Sequence, residues 1–237
     1  LGTAIRPARV AAGDEGVWLL DPRTRRVALL GSDRVHEAGE APERGTAPID
    51  AIAAGGRGVW LAERDAEIVF RLDARTRTSV SVDNRGRDSF FEGHARRALA
   101  IGAGSVWATN PVSDFSGTDR FGRVSRIDLG SGDVTARIRL PAPPIAIAAG
   151  DDAVWVGLDR GQTLWRIDPR DDVAAAAVDV GAPVRDLALG EGAVWALTGD
   201  GAVARIDPKT NTVTGHLRLG RGDAIAAGHG AVWVAAR

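Results

Sequence analysis

One phrase, a glycine turn followed five residues later by a Val-Trp pair, occurs six times in the 237 residues of this chain, and nothing else in it constrains the fold as tightly. The tryptophans are Trp18, Trp60, Trp107, Trp155, Trp195 and Trp233, and the glycines are Gly13, Gly55, Gly102, Gly150, Gly190 and Gly228. The step from one tryptophan to the next varies from copy to copy, while the step from glycine to tryptophan never changes. Repeats with a period of about 40 residues mark stacked supersecondary units, none of which can bury its apolar face alone.

A full copy reads VRDLALGEGAVWALTGDGAVARIDPKTNTVTGHLRL from residue 184 to 219. Short apolar runs alternate with turn chemistry (GEG, TGDG, DPKTN), which predicts four antiparallel strands, called a to d here. Alanine, valine and isoleucine on both faces of strands a to c imply sheets covered on both sides. Four short strands per copy with a repeated aromatic describe a β-propeller blade, so the expected fold is an all-β, six-bladed propeller occupying residues 1–237 as one domain. Each tryptophan is then a wedge between neighbouring sheets. The Arg-Ile-Asp or Arg-Leu-Asp series (Arg71, Arg126, Arg166 and Arg205 with Asp73, Asp128, Asp168 and Asp207) suggests a ladder of Arg-carboxylate contacts between blades.

Two details concern the ends of the repeat. The last copy stops after strands a and b, and LGTAIR at residues 1–6 has the character of an outer strand, so the ring is expected to close by joining the N-terminal strand to the C-terminal blade. In the first copy Asp21 follows Trp18 by only three residues; either strand c is lost, or DPRTRR is the b to c turn and VALL is strand c. The ordinary spacing from Trp18 to Trp60 favours the second reading.

The copies resemble the YVTN and streptogramin-lyase-like (virginiamycin B lyase-like) β-propeller repeats of bacteria, whose glycine turn, "VWV" and "V-R-I-D-P-x-T-x-x-V" are matched by Gly190 to Leu219 and more loosely from Gly55, Gly102 and Gly150. The resemblance spans essentially the whole chain and implies the propeller. It also implies a particular chemistry, because streptogramin lyases use a His and Glu constellation with a divalent metal around the axial channel. Their signature places a glutamate just after a "WFT" strand; here Glu63 alone approximates that position.

The irregularities of the repeat carry the functional expectation. In a four-stranded meander the a to b and c to d turns share one rim, and the b to c and d to a connections share the other. From the strand-c aspartate to the next blade's glycine the interval is nearly constant at the last three junctions, Asp128 to Gly150, Asp168 to Gly190 and Asp207 to Gly228. It is longer from Asp73 to Gly102, and the excess falls in residues 83–97. A second insertion, residues 109–123, lengthens the b to c connection of the third blade, and a third falls in residues 31–48. Four of the five phenylalanines lie in the first two: Phe90, Phe91, Phe115 and Phe121. With Arg87, Asp88, Asp119 and Arg120 they form a candidate anchor cluster with a polar rim for a protein or small-molecule ligand. The bland alternative is that the two segments pack on each other as a lid.

Catalytic candidates are sparse. His94 with Glu92, and His36 with Glu37, lie in inserted segments and suit acid-base or metal chemistry; His216 and His229 read as solvated surface residues. The chain contains no cysteine, no phosphate loop and no zinc spacing. The expected function is a non-catalytic binding or sensing module with no cofactor. The alternative is a lyase- or hydrolase-like enzyme of the streptogramin lyase type, with a divalent metal only in that case. A net charge of -1 excludes the electrostatic footprint of a nucleic-acid binder, and no apolar run is long enough to insert this segment in a membrane. The start at Leu1 and the family habit lead us to expect an extracytoplasmic portion of a longer bacterial protein.

Overall fold

The computed structural model describes residues 9–30, 35–41, 48–56, 58–63, 68–73, 76, 78–83, 97–113 and 120–236. All regular structure among them is β. Blade 1 comprises β1 (Arg9–Gly13), β2 (Gly16–Leu20), β3 (Arg26–Leu30) and β4 (Val35–Glu40). Blade 2 comprises β5 (Ile49–Ala54), β6 (Gly58–Glu63), β7 (Ile68–Asp73) and β8 (Ser79–Asp83). Blade 3 follows with β9 (Leu99–Gly102), β10 (Ser105–Ser113), β11 (Arg120–Asp128) and β12 (Val134–Leu140). Blade 4 holds β13 (Pro144–Ala149), β14 (Val154–Leu158), β15 (Thr163–Asp168) and β16 (Val173–Asp179). Blade 5 holds β17 (Val184–Gly190), β18 (Ala193–Thr198), β19 (Ala202–Asp207) and β20 (Thr212–Arg218). Blade 6 has β21 (Gly222–Gly228) and β22 (Ala231–Ala236).

Each four-stranded sheet is an antiparallel meander in chain order, and from blade 1 to blade 6 the first strand of each blade touches the first strand of the next. The first blade keeps its third strand: VALL falls in β3, reached through a turn in which Asp21 Oδ1 accepts the Arg23 and Thr24 N–H groups. The expected outer strand at residues 1–6 lies outside the described residues, as does any third strand of blade 6.

The repeat's glycine has a reason more specific than turn-making. A Cβ on Gly102 would stand 2.8 Å from the backbone of Ala149 and Gly150, and one on Gly190 would stand 2.9 Å from the Ala227 carbonyl. Neighbouring blades approach closely at this point, and only a residue without a side chain lets the next blade's first strand pass. The turn that follows is a two-residue hairpin with both residues left-handed, as in Ala103-Gly104, Glu191-Gly192 and His229-Gly230.

The tryptophans divide into buried and unburied. Trp18, Trp60, Trp107 and Trp155 are buried to 1% exposure or less, each packed against the valine of the next blade's second strand: Val59, Val106, Val154 and Val194 in turn. Burying roughly 150–250 Å² apiece, each contributes about 4–6 kcal/mol as an upper bound. Trp195 is partly buried against Val232 and Val234. Trp233 departs from the expected wedge and is 51% exposed. The face it should meet, that of Val17 and Val10 on blade 1, is exposed as well, so neither half of the sixth interface buries these side chains.

The charged ladder also takes another form. Arg71, Arg126 and Arg205 lie over the rings of Trp60, Trp107 and Trp195 in their own blades, 5.3 to 5.7 Å from the ring centres. Two of them reach the next blade through backbone: Arg71 donates to the Gly130 carbonyl at 3.0 Å and Arg126 to the Pro169 carbonyl at 2.7 Å. Arg126 alone of the series meets a carboxylate across a described blade junction, Asp172 at 3.1 Å. The aspartates instead close their own turns. Asp128 accepts the Ser131 and Gly130 N–H groups; donation from Ser131 holds its carboxyl below the ordinary value.

Candidate functional site

The strands leading into and out of residues 84–96 and 114–119 open onto a single rim, as the meander requires. Phe90, Phe91, Arg87, Asp88, Glu92 and His94 lie outside the described residues, as do Phe115 and Asp119. Arg120 begins β11. Phe121 is described and half-buried.

Residues 109–123 were expected to form a loop, and most of them are strand. β10 and β11 are nine residues each and pair without interruption from Ser105 opposite Asp128 to Ser113 opposite Arg120. The matching strands in blade 5 are six residues each. The pairs beyond Asn110 and Arg123 therefore add three registers, an extension of about 10 Å at roughly 3.4 Å per residue. Gly122 sits where the arm leaves the blade; a Cβ there would overlap the Ala142 carbonyl and the Pro144 ring, so the d to a connection of blade 3 is pressed against it.

Alternation along the strands sorts this hairpin's side chains. Trp107 faces blade 4, whereas Val106 and Ala108 face blade 2, in the cluster that also holds Trp60 and Val82. Continuing with period two, Asn110 falls on the blade 2 side, directly opposite Arg123, which is directly opposite Arg139 on β12. Phe121 and Ser125 share that face. The Arg139 guanidinium lies 3.9 Å from the centre of the Phe121 ring, a close stack. Arg97, just before β9, donates to Asn110 Oδ1 at 2.9 Å. Asn110 and Ser125 are fully buried, Arg97 and Arg123 are 4% and 8% exposed, and Arg139 is exposed. The phenylalanines signalled this region; the arginines of the row belong to three separate segments and were not singled out.

The neighbouring junction is built differently. Glu63 occupies in blade 2 the place of Asn110 in blade 3, three residues after the tryptophan, and is completely buried. It forms an ion pair with Arg25 from the b to c turn of blade 1, whose Nε also donates to the Ala41 carbonyl at 3.3 Å. The one glutamate that approximates the lyase signature is thus engaged by an arginine. His36, in β4, is exposed; Glu37 is on the same strand, but its side chain lies outside the described residues. His229 sits at the first left-handed position of its exposed turn. His216 lies on the outer strand β20. Among the described residues no group of three or more His, Asp or Glu side chains is arranged to hold a metal ion, and no helix is long and apolar enough to cross a membrane.

No family model and no curated protein matches the sequence. Solved structures do match. A catalytically inactive histidine-to-alanine variant of virginiamycin B lyase from Staphylococcus aureus, with quinupristin, superposes with a TM-score of 0.74 at 20% identity, over 99% of this chain and 79% of that one. A streptogramin B lyase gives 0.66 at 17% identity, over 98% and 90% of the two chains. Hydrazine synthase from Kuenenia stuttgartiensis gives 0.60 at 14% identity over 75% of this chain, which spans about half (51%) of that protein's length. At these identities the likeness concerns architecture, and the chain has a streptogramin-lyase-like β-propeller fold.

Proposed function

We propose that this propeller is a non-catalytic binding or sensing module, part of a longer extracytoplasmic bacterial protein, whose partner engages the rim of blade 3. One observation carries the reading. In a molecule whose other described b to c connections are short turns, blade 3 alone extends a paired hairpin arm by about 10 Å, with Phe121 half-buried at its base beneath Arg139. A paired arm is a rigid platform, and rigid display of aromatic and arginine side chains is how binding hot spots are built.

The test is Phe121→Ala, alone and with Phe115→Ala, in the full chain. Capture of a partner from an extracytoplasmic bacterial extract is expected to fall at least tenfold, with a stability loss of only about 1 kcal/mol from the lost ring contact. Undiminished capture, or a collapse in melting temperature like that of a core deletion, sinks the reading in favour of a packed lid.

The fold's likeness to two lyases favours a second reading, an enzyme of that type working in the axial channel. It requires a base other than Glu63, and His94 with Glu92 are the candidates. Metal analysis and a quinupristin-consumption assay on wild type and His94→Ala decide it. A metal-free protein without turnover rejects the enzyme.

A further inference from the structure

We propose that the outer half of blade 6 is a docking site for a β-strand of a partner protein, which pairs with the edge of β22 and carries the pattern of the repeat's own third strands. This surface is separate from the blade 3 rim. It is marked by apolar side chains that are buried at the matching places in other blades.

In blades 2, 3 and 4 one outer-strand residue faces the next blade, namely Val82, Ile138 and Val178, and each is 7% exposed or less. Each shares a cluster with the isoleucine of that next blade's third strand, Ile127, Ile167 and Ile206 in turn. Leu217 holds the corresponding place in blade 5, opposite Val203, and is 60% exposed. Leu219, which corresponds to the buried Leu140 and Val180, is 50% exposed. The tryptophans agree. Trp155 packs against both Val194 and Ile206, from the second and third strands of blade 5, and is fully buried. Trp195 meets Val232 and Val234 of β22 but no third strand among the described residues, and it is only partly buried.

The repeat specifies what fits. The third strands of blades 2 to 5 contain VFRLD, VSRID, LWRID and VARID, at residues 69–73, 124–128, 164–168 and 203–207. Their register is constant: the arginine stands opposite the tryptophan of the second strand, and the isoleucine or leucine opposite its valine. Laid on β22, such a strand sets its arginine opposite Trp233 and its isoleucine opposite Val232, facing Trp195. Residues 1–8 contain no such pattern, and each copy in the chain is already part of a blade. A second copy fits poorly. Pairing two β22 strands about a two-fold axis would lay blade 5 of both copies over one face of the joint sheet, where a single four-stranded blade fills the space. The edge itself is receptive: Ala231–Ala236 carries neither charge nor proline, the usual protection of edge strands. Backbone pairing to such an edge, with pockets for alternate side chains, is the general mode of strand addition.

The experiment titrates the full chain with a synthetic peptide of residues 202–219, the third and fourth strands of blade 5, by calorimetry and by melting temperature. Saturable binding with a Kd below about 100 µM and a raised melting temperature are expected. Peptides carrying Ile206→Asp or Arg205→Glu should bind about tenfold more weakly or worse, a comparison that leaves the protein unaltered. In the protein, Leu217→Lys should weaken binding about tenfold or more. Val80→Lys, at a similarly exposed valine on the outer strand of blade 2, should leave it unchanged. No binding at about 1 mM peptide, equal affinity for the Ile206→Asp peptide, or wild-type affinity in Leu217→Lys overturns the site. Binding that appears only after deletion of residues 1–6 also overturns it, assigning the place to this chain's own N-terminal strand. A concentration-dependent dimer that excludes the peptide does the same in favour of a second copy. Partner capture that depends on Phe121 should be unchanged in Leu217→Lys, so this inference and the rim reading fail separately.

Discussion

Blade 5 and blade 3 share one frame and differ at one end. In both, the tryptophan indole donates to the carbonyl of the glycine five residues earlier at 3.0 Å, and a strand-c arginine lies over the ring. In blade 5 the second hairpin ends at once, Gly201 donating to the Thr198 carbonyl at 3.1 Å while Thr198 and Asp200 close the turn. In blade 3 the same two strands run on into the arm, and the polar layer above the apolar core is arginine-rich where blade 5 has a threonine and an aspartate. The common frame of the repeat supplies stability, and the copy that departs from it is free to supply recognition.

The largest effect expected from pressing on this contrast is in the frame. Trp155→Ala should cost about 3–5 kcal/mol, the usual range for deleting a fully buried aromatic, whereas Trp233→Ala, at 51% exposure, should cost under about 1 kcal/mol. Chemical denaturation of the two variants checks this. Equal losses would mean that the sixth interface is as filled as the others, with Trp233 packed on the Val10 and Val17 face by a closed ring.

A transplant asks whether the arm is dispensable. Replacing residues 111–122 with the Gly199–Gly201 turn of blade 5 should change stability by only about 1 kcal/mol, since the removed pairs lie beyond the apolar core, while abolishing partner capture. Unfolding of the graft would make the arm part of the scaffold and erase the distinction between the two blades.

The smallest effect lies in blade 5 itself. Asp186, at a bulge in β17, accepts the Ile225 N–H of blade 6 at 2.9 Å, and burial raises its carboxyl above the ordinary 3.8 despite that bond and another from the Leu187 backbone. A raised folded-state value means that its stabilisation is complete below pH 3.8 and is lost as pH rises through the folded value. Asp186→Asn keeps an acceptor without the charge, so it should raise the melting temperature slightly at pH 7 and match wild type below pH 3.8. A lower melting temperature at pH 7 would show that hydrogen bonding outweighs burial at this carboxylate.

Sequence spacing was a sound guide wherever the determinant was local. The constant step from Gly102 to Trp107 encodes a hairpin, and the short step from Trp18 to Asp21 correctly moves the first blade's turn rather than deleting its strand. The site was less legible. Phe121 drew attention because it is aromatic, yet composition could not distinguish a loop from a continued ladder, which depends on whether Val112 and Ser113 find partners across the hairpin. Glu63 approximates the position of the lyase signature's glutamate in sequence, and only the packing of blade 1 on blade 2 sets Arg25 beside it.

The sequence by itself determined the number of blades, their strand order and the rim on which the insertions open, because period, turn chemistry and chain direction are properties of neighbouring residues. Tertiary structure alone decided that Arg97, Asn110, Arg123 and Arg139 form one line, that Glu63 is an ion-pair partner and that Trp233 stands half in solvent. Those outcomes depend on register across strands and packing between blades, where residues far apart in the chain become neighbours and a shift of one position would turn each side chain to the opposite face.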